Sequence, residues 1–226
     1  MLSAIVLSGG KGKRMERRQP KQYLLLAGKP IIMHSIERID SIEEINEIII
    51  VCEEEYVLAV KLMVEQYNIS TPIKFALAGA TRQESVYSGL KEVVNEQVIL
   101  HEAARPFVKR EDFIKLIGTS VQNVSFGYPI PFTVLEGKDY ICGTLKRDSL
   151  INVQLPQKFQ TTLLKKAHEA AKRDHREFTE DAGLLFEYTK EKIKIIQGSS
   201  ENIKITEPID LIVGEIIYNE HIKGRR

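Results

Sequence analysis

Residues 4–26 read AIVLSGGKGKRMERRQPKQYLLL. A short β-branched run (4–7) leads directly into a segment with three glycines and six basic residues. In α/β proteins, ligands bind beyond the carboxyl ends of parallel strands, where such loops lie. Glycine lets an anion approach the backbone N–H groups closely, and basic side chains attract its charge. The stretch therefore predicts an anion site at the end of the first strand.

The rest of the chain alternates between strand and helix patterns. Further β-branched runs occupy residues 47–52, 73–77 and 97–101, and a later one occupies 192–198. Apolar residues three or four positions apart predict helices over 30–39, 54–67, 82–94, 159–173 and 179–189, and from Pro208 onward. Pro30 is expected at the first helical position of its segment. This alternation predicts right-handed βαβ units and a mostly parallel sheet.

Residues 128–155 interrupt the alternation. The sequence YPIPFTVLEGKDYICGTLKRDSLINVQL contains short extended pieces, turn residues at 136–139 and no helical period. We interpret this segment as a hairpin arm that leaves the main body. The expected organisation is one domain over 1–226 with the arm at 128–155.

The charge and hydropathy of the chain indicate which partners it is not suited to bind. Lys and Arg number 32 against 31 Asp and Glu, and the net charge is +1, so the overall field does not attract a polyanion such as nucleic acid. No apolar run reaches the roughly 18 residues of a membrane helix. The sequence therefore predicts a cytoplasmic protein with neither nucleic acid nor membrane as a partner, in which local clusters carry any phosphate chemistry.

The glycine-rich loop does not match the familiar phosphate-binding motifs. GGKGKR lacks the spacing and the Ser/Thr of a P-loop, and Gly9 and Gly12 do not fit the dinucleotide fingerprint. Two interpretations remain. Either the glycines bind an anion with Arg14 and Lys21 as charged clamps, or the segment is a loop with a solvated run of charge.

The sequence that follows favours the first interpretation. Seven blocks occur in order: GGKGKRM with PKQYL, GKPIIMHSI, AGATRQESVYSGL, HEAARPFV, RDSLINVQLPQKF, TEDAGLL and NIKITEPIDL. In order and spacing they resemble the methylerythritol-phosphate cytidylyltransferases and their ribitol-phosphate relatives, which are CTP-dependent nucleotidyltransferases. The resemblance implies a Rossmann-like three-layer α/β fold with a twisted sheet and a protruding β-arm. It also implies a homodimer joined through the arm and a Mg²⁺-dependent reaction that releases pyrophosphate.

The resemblance also implies roles for individual residues. The catalytic cations would be Arg14, Lys21 and Lys204. CTP would be bound by Leu7, Ser8, Gly9, Gly10, Gly12, Gly79, Arg82 and Ser85. The small phosphorylated acceptor would be bound by Glu102, Thr133 and Arg147, with the last two donated by the partner subunit. Glu102 and Asp210 are the candidate ligands of Mg²⁺.

Three positions depart from the family pattern. Glu102 stands where relatives carry an aspartate, Phe132 replaces an acid and Leu155 replaces a threonine. Because all three belong to the acceptor blocks, we expect an acceptor other than methylerythritol phosphate: an alditol phosphate such as ribitol phosphate, used for cell-wall or capsule polymers, another sugar phosphate or a phosphonate. The alternatives are the methylerythritol-phosphate enzyme of isoprenoid synthesis, a UTP-using sugar nucleotidyltransferase and a non-catalytic nucleotide sensor.

Overall fold

A twisted seven-stranded sheet forms the centre of the molecule. The computed structural model describes residues 1–10, 15 and 19–223, of which 221–223 are described in their backbone alone. The strands of this sheet are β1 (Leu2–Leu7), β4 (Ile45–Cys52), β5 (Ile73–Leu77), β6 (Gln97–Glu102), β7 (Val124–Pro129), β10 (Ile151–Gln160) and β11 (Lys194–Gln197). The strand order is β11-β7-β10-β6-β1-β4-β5. All neighbouring strands are parallel except β10, which runs antiparallel to both β6 and β7.

Within the described residues, two short hairpins and seven α-helices complete the fold. The first hairpin pairs β2 (Leu25–Leu26) with β3 (Lys29–Pro30), and the second pairs β8 (Leu135–Gly137) with β9 (Ile141–Thr144). The helices are α1 (Ile31–Asp40), α2 (Val57–Gln66), α3 (Arg82–Glu92), α4 (Arg110–Ile117), α5 (Thr161–Arg173), α6 (Asp181–Thr189) and α7 (Pro208–Ile217).

Helices cover both faces of the sheet because neighbouring strand residues point to opposite sides. In β1, Ala4 and Val6 pack with residues of α1, α2 and α4, whereas Ile5 packs with residues of α3, α5 and α6. Strands that are buried on both faces have no polar alternation, which explains the continuous apolar runs in the sequence. The result is the three-layer α/β fold with a mostly parallel sheet that the sequence predicts.

The arm leaves the sheet between β7 and β10. Pro129 pairs with Ile151 at the point where the two strands separate, and the β8–β9 hairpin lies between them. Large apolar side chains are exposed on the arm: Phe132 by 75%, Tyr140 by 87% and Ile141 by 74%. Such surface is costly to leave in water, so the arm is suited to contact with another molecule.

The structure corrects three details of the secondary structure. The helix expected from Phe159 begins at Thr161, because Phe159 is fully buried in the core as part of β10. Helix α4 was not predicted. Pro30 ends β3 and precedes the first residue of α1 instead of occupying it. Within the described residues, no helix is long and apolar enough to cross a membrane.

Candidate active site

A cleft of about 690 Å³ lies beyond the carboxyl ends of β1, β4, β5 and β6. Parallel strands end at the same edge of a sheet, so the loops that follow them meet there. The described lining residues are Leu7, Ser8, Gly9, Gly10, Lys21, Gln22, Glu53, Ala78, Gly79, Ala80, Thr81, Arg82, Ser85, Glu102, Ala104, Lys204 and Thr206. The cleft thus brings together ten of the residues that the sequence predicts for the site, drawn from five separate segments.

Two glycines allow the loops that line the cleft to touch. A Cβ on Gly9 would lie 2.3 Å from the Cβ of Ala78, and a Cβ on Gly79 would lie 2.3 Å from the Cβ of Glu84. These distances are far shorter than any real contact between carbon atoms. Both positions therefore require glycine for close backbone approach, and the resulting wall of the cleft consists largely of main chain.

Gln22 fixes the position of the glycine-rich loop. Its Nε2 donates hydrogen bonds to the carbonyl oxygens of Ser8, at 2.6 Å, and Gly10, at 3.1 Å. The Ser8 hydroxyl donates to Tyr23 Oη at 3.2 Å. Gln22 is buried, as is its neighbour Lys21, which lines the cleft. The segment 21–23 therefore connects the loop to a lysine in the site, a role of Gln22 that the sequence does not reveal.

Ser85 holds the loop before α3. Its hydroxyl accepts a hydrogen bond from the Gly79 N–H at 3.0 Å and donates one to the Thr81 carbonyl at 2.9 Å. Thr81 in turn caps α3, because its hydroxyl accepts from the Glu84 N–H at 3.1 Å. The Ser85 hydroxyl thus bonds local backbone while the residue lines the cleft, so its role in shaping the loop does not depend on a ligand.

Glu102 is the centre of the charged wall. Its carboxylate lies 2.9 Å from Lys204 Nζ, 3.2 Å from Arg105 Nε and 3.5 Å from Arg82 Nε. Burial alone would raise the pKa of this carboxyl group. The charges of Lys204, Arg105 and Arg82 outweigh that effect and lower the pKa to about 2. Glu102 is therefore ionised at neutral pH and orders three cations at one side of the cleft.

Two buried side chains, Asp181 and His168, connect Arg82 of this wall to the interior of the protein. Arg82 donates to Asp181 Oδ2 at 2.6 Å, and His168 Nε2 lies 3.0 Å from Asp181 Oδ1. Burial raises the pKa of Asp181, but the charge of Arg82 and the contact with His168 lower it overall. Asp181 therefore holds Arg82, whereas the neighbouring Glu180 caps α6.

Arg105 and His101 have structural partners next to the cleft. Besides its contact with Glu102, Arg105 donates through an Nη atom to the Asn202 carbonyl at 2.9 Å. His101 is buried, and its Nε2 lies 3.2 Å from the Arg105 carbonyl. Burial and the nearby Arg105 charge lower the pKa of His101 to about 4. His101 is therefore neutral at physiological pH and helps to hold the turn that follows β6.

The remaining predicted residues lie elsewhere. Thr133 and Arg147 are exposed on the arm and do not line the cleft within one chain. Asp210, the second candidate ligand of Mg²⁺, is not among the described lining residues of the cleft, and its Oδ2 accepts the N–H groups of Thr206 and Glu207, at 2.7 and 2.8 Å, at the start of α7. Gly12 and Arg14 lie outside the described residues.

The carboxylates that line the described part of the cleft are Glu53 and Glu102. In that part of the chain, no group of three or more His, Cys, Asp or Glu side chains is arranged to hold a metal ion. Mg²⁺ does not need such a group, since one or two carboxylates suffice when substrate phosphates supply the other oxygens. The donor set of the cleft therefore fits Mg²⁺ brought in with a polyphosphate.

The three-layer fold and the cleft lined by main chain and cations define an α/β nucleotidyltransferase. The sequence model of the family described as 2-C-methyl-D-erythritol 4-phosphate cytidylyltransferase matches residues 2–220. The chain belongs to this family and is a CTP-dependent nucleotidyltransferase.

Two relatives and one solved structure match nearly the whole of this chain. The chloroplastic 2-C-methyl-D-erythritol 4-phosphate cytidylyltransferase of Oryza sativa subsp. japonica is 39% identical over 225 residues, which cover 97% of this chain and 75% of that protein. The enzyme of the same name from Alkaliphilus metalliredigens is 36% identical, covering 100% of this chain and 96% of its own. The crystal structure of 4-diphosphocytidyl-2C-methyl-D-erythritol synthase from Anaerococcus prevotii has a TM-score of 0.83 at 29% identity and covers 96% of both chains.

Proposed function

We propose that this protein is a 2-C-methyl-D-erythritol 4-phosphate cytidylyltransferase, which joins the cytidylyl group of CTP to the acceptor phosphate and releases pyrophosphate. The observation that carries the proposal is the near full-length match to enzymes of that name, at 36% and 39% identity in two of them. The sequence alone led us to expect an acceptor other than methylerythritol phosphate. The proposal adopts instead the alternative given there, the methylerythritol-phosphate enzyme of isoprenoid synthesis.

The three departures from the family pattern have explanations that do not require a new acceptor. Leu155 is 4% exposed and packs in the core, and it does not line the cleft. Glu102 keeps the carboxylate, and Lys204 and Arg105 fix its longer side chain. Phe132 is exposed on the arm, where an aromatic side chain suits a protein contact. Glu102, Phe132 and Leu155 are therefore compatible with methylerythritol phosphate as the acceptor.

The proposed reaction needs positioned cations more than covalent chemistry. A phosphate oxygen of the acceptor attacks the α-phosphorus of CTP, the bond from that phosphorus to the β-phosphate oxygen breaks, and pyrophosphate leaves with the electron pair. Negative charge builds on the α-phosphate oxygens and on the leaving group, and fixed cations stabilise it. Lys21 and Lys204 line the cleft and serve this role in our proposal, together with Arg14.

The nucleotide and the acceptor occupy different surfaces in this proposal. Leu7 to Gly10 and Gly79 to Ser85 form the wall that receives the nucleoside of CTP, and Gly12 keeps the nucleotide-binding role that its motif implies. Glu102 would hold Mg²⁺ together with the triphosphate, and the bound ion would supply further charge neutralisation. We assign Asp210 to the cap of α7, because its carboxylate accepts two backbone N–H groups there.

We further propose that the arm completes the acceptor site of a second subunit. Thr133 and Arg147 lie on the arm, outside the cleft of their own chain, and the arm exposes a large apolar surface. A homodimer joined through the arms would cover that surface and bring Arg147 to the partner's cleft, where its planar guanidinium is suited to grip a phosphate.

Acceptor selectivity tests the proposed function. Pyrophosphate release is measured with CTP and Mg²⁺ and one of four acceptors: 2-C-methyl-D-erythritol 4-phosphate, ribitol 5-phosphate, glycerol phosphate or a small phosphonate. We expect kcat/KM for the first acceptor to exceed each of the others by at least about 100-fold, as expected when a polar site must match a substrate's hydroxyl groups. Comparable or better turnover of any other acceptor would contradict the proposal.

A further inference from the structure

His168 is a buried polar side chain behind the charged wall, and the proposed reaction does not use it. It lies on α5, is 1% exposed and is not among the described lining residues of the cleft. Its Nε2 lies 3.0 Å from Asp181 Oδ1, and its Nδ1 has no hydrogen-bond partner in the described part of the chain. A buried N–H without an acceptor is costly, so the ring hydrogen lies on Nε2. His168 therefore donates a hydrogen bond to Asp181.

The carboxylate of Asp181 has a separate partner for each oxygen. Asp181 is the first residue of α6 and is 1% exposed. His168 donates to Oδ1, and Arg82 Nη1 donates to Oδ2 at 2.6 Å. Because each oxygen is held from a different side, the orientation of the carboxylate is fixed.

Arg82 meets this carboxylate through one end of its guanidinium. An arginine and a carboxylate often form two parallel hydrogen bonds. Here a single bond runs through Nη1, and Nη2 has no partner among the described residues. Arg82 Nε lies 3.5 Å from Glu102 Oε1, which also accepts from Lys204 Nζ at 2.9 Å. The single bond to Asp181 thus leaves Arg82 in the wall with Glu102 and Lys204.

Loss of the His168 donor would change this arrangement. The Oδ1 atom of Asp181 would be buried without a partner, which costs free energy. The carboxylate would then turn and bind Arg82 with both oxygens, since that geometry suits the two groups. This turn would draw the guanidinium toward α6 and away from Glu102. The cations of the cleft would be displaced although no residue that lines the cleft had been replaced.

We propose that His168 is a positioning residue of the active site, which holds Arg82 beside Glu102 by occupying Oδ1 of Asp181. The inference rests on the proposed function, because it takes the cleft to be the CTP site. In this proposal His168 contacts neither CTP nor the acceptor. It acts through Asp181 and Arg82 on the charged wall.

The test uses three replacements of His168 and one control on the same helix. His168→Phe removes the donor but keeps a ring beside Tyr87, whose ring lies nearly parallel to the imidazole at 6.3 Å. His168→Asn removes the donor from Oδ1 by shortening the side chain. His168→Gln is the conservative variant, because its amide nitrogen reaches the place of Nε2. Leu164→Ala, one turn earlier on α5 and fully buried, lowers stability without touching Asp181.

The dissociation constant of CTP is measured without acceptor, so that binding is read independently of turnover. His168→Phe and His168→Asn should raise it by about 3- to 30-fold, the usual effect of a residue that acts on a ligand through others. Both should raise the KM for CTP more than they lower kcat. His168→Gln should bind CTP within about 3-fold of wild type, because it restores the donor. Leu164→Ala should lower the melting temperature and leave CTP binding unchanged.

A double-mutant cycle shows whether the effect passes through Asp181. His168→Phe should add nothing to Asp181→Asn, so the double variant should bind CTP like Asp181→Asn alone. Additive losses overturn the inference, and so does normal CTP binding by both His168→Phe and His168→Asn.

The controls separate the remaining failures. A loss of CTP affinity in Leu164→Ala equal to that in His168→Phe overturns the inference, because it assigns the effect to stability. Failure of His168→Gln to restore binding overturns it as well. If wild type binds CTP but transfers nothing to methylerythritol phosphate, the proposed function fails, while the dissociation constants still decide the role of His168.

Discussion

Replacement of Glu102 by glutamine should make the protein less stable by an amount that the structure defines. The carboxyl group has an ordinary pKa of 4.5, and its three cationic neighbours lower this to about 2 in the fold. One pKa unit corresponds to about 1.4 kcal/mol, so ionised Glu102 stabilises the fold by about 3 kcal/mol at neutral pH. Glutamine resembles the protonated carboxyl, and Glu102→Gln should therefore lose that amount. For a chain of this size the melting temperature should fall by roughly 6–12 °C.

The stability difference between wild type and Glu102→Gln should depend on pH. Because the pKa is lower in the fold than in the unfolded chain, the contribution is fully present above the unfolded value and is lost as pH falls toward about 2. By pH 3.5 wild type should have lost roughly 1 kcal/mol of it, and the difference from Glu102→Gln should shrink accordingly. Urea unfolding followed by circular dichroism at pH 7, 5 and 3.5 measures this. The exposed Glu65→Gln is the control. A stability difference that stays constant with pH would show that the ionised carboxylate of Glu102 does not stabilise the fold.

Three further predictions concern the site. Lys21→Ala should lower kcat by about 100- to 1,000-fold with little change in melting temperature, because a fixed cation acts mainly on the transition state; a near-normal rate in steady-state assays would remove Lys21 from catalysis. Mixed dimers of inactive Lys21→Ala and inactive Arg147→Ala should recover part of the activity, because one composite site keeps both residues, and isolated heterodimers without activity would argue against the arm's role. Asp181→Asn should raise the KM for CTP more than it lowers kcat, since Arg82 loses its 2.6 Å partner; unchanged kinetics would mean that Arg82 does not need this support.

Much of the fold follows from local patterns. Residues 45–52 and 73–77 form strands that are short, apolar and β-branched, and α5 shows apolar residues on one face. Helix α4 is not evident because its eight residues, REDFIKLI, are too few to display a clear period. The helix expected from Phe159 starts late because burial of that side chain in the core outweighs local preference.

Site residues that belong to local sequence motifs could be predicted. Contacts between residues far apart in the sequence could not. The glycine-rich loop, Lys21 and Lys204 stand in recognisable motifs, and the structure brings the described parts of them to one cleft. The contact between Arg82 and Asp181 joins residues 99 positions apart, so no local pattern indicates it. Glu53 belongs to a run of three glutamates, and only the end of β4 distinguishes it from its exposed neighbours.

The proposed function is the transfer of a cytidylyl group from CTP to methylerythritol phosphate. It is measured by incubating the protein with CTP, Mg²⁺ and 2-C-methyl-D-erythritol 4-phosphate and following the phosphorus NMR spectrum, with mass spectrometry of the products. We expect a cytidine diphosphate-linked methylerythritol and pyrophosphate in equal amounts, and neither of them when the acceptor is omitted. Bound CTP without either product, or pyrophosphate without the linked product, would contradict it.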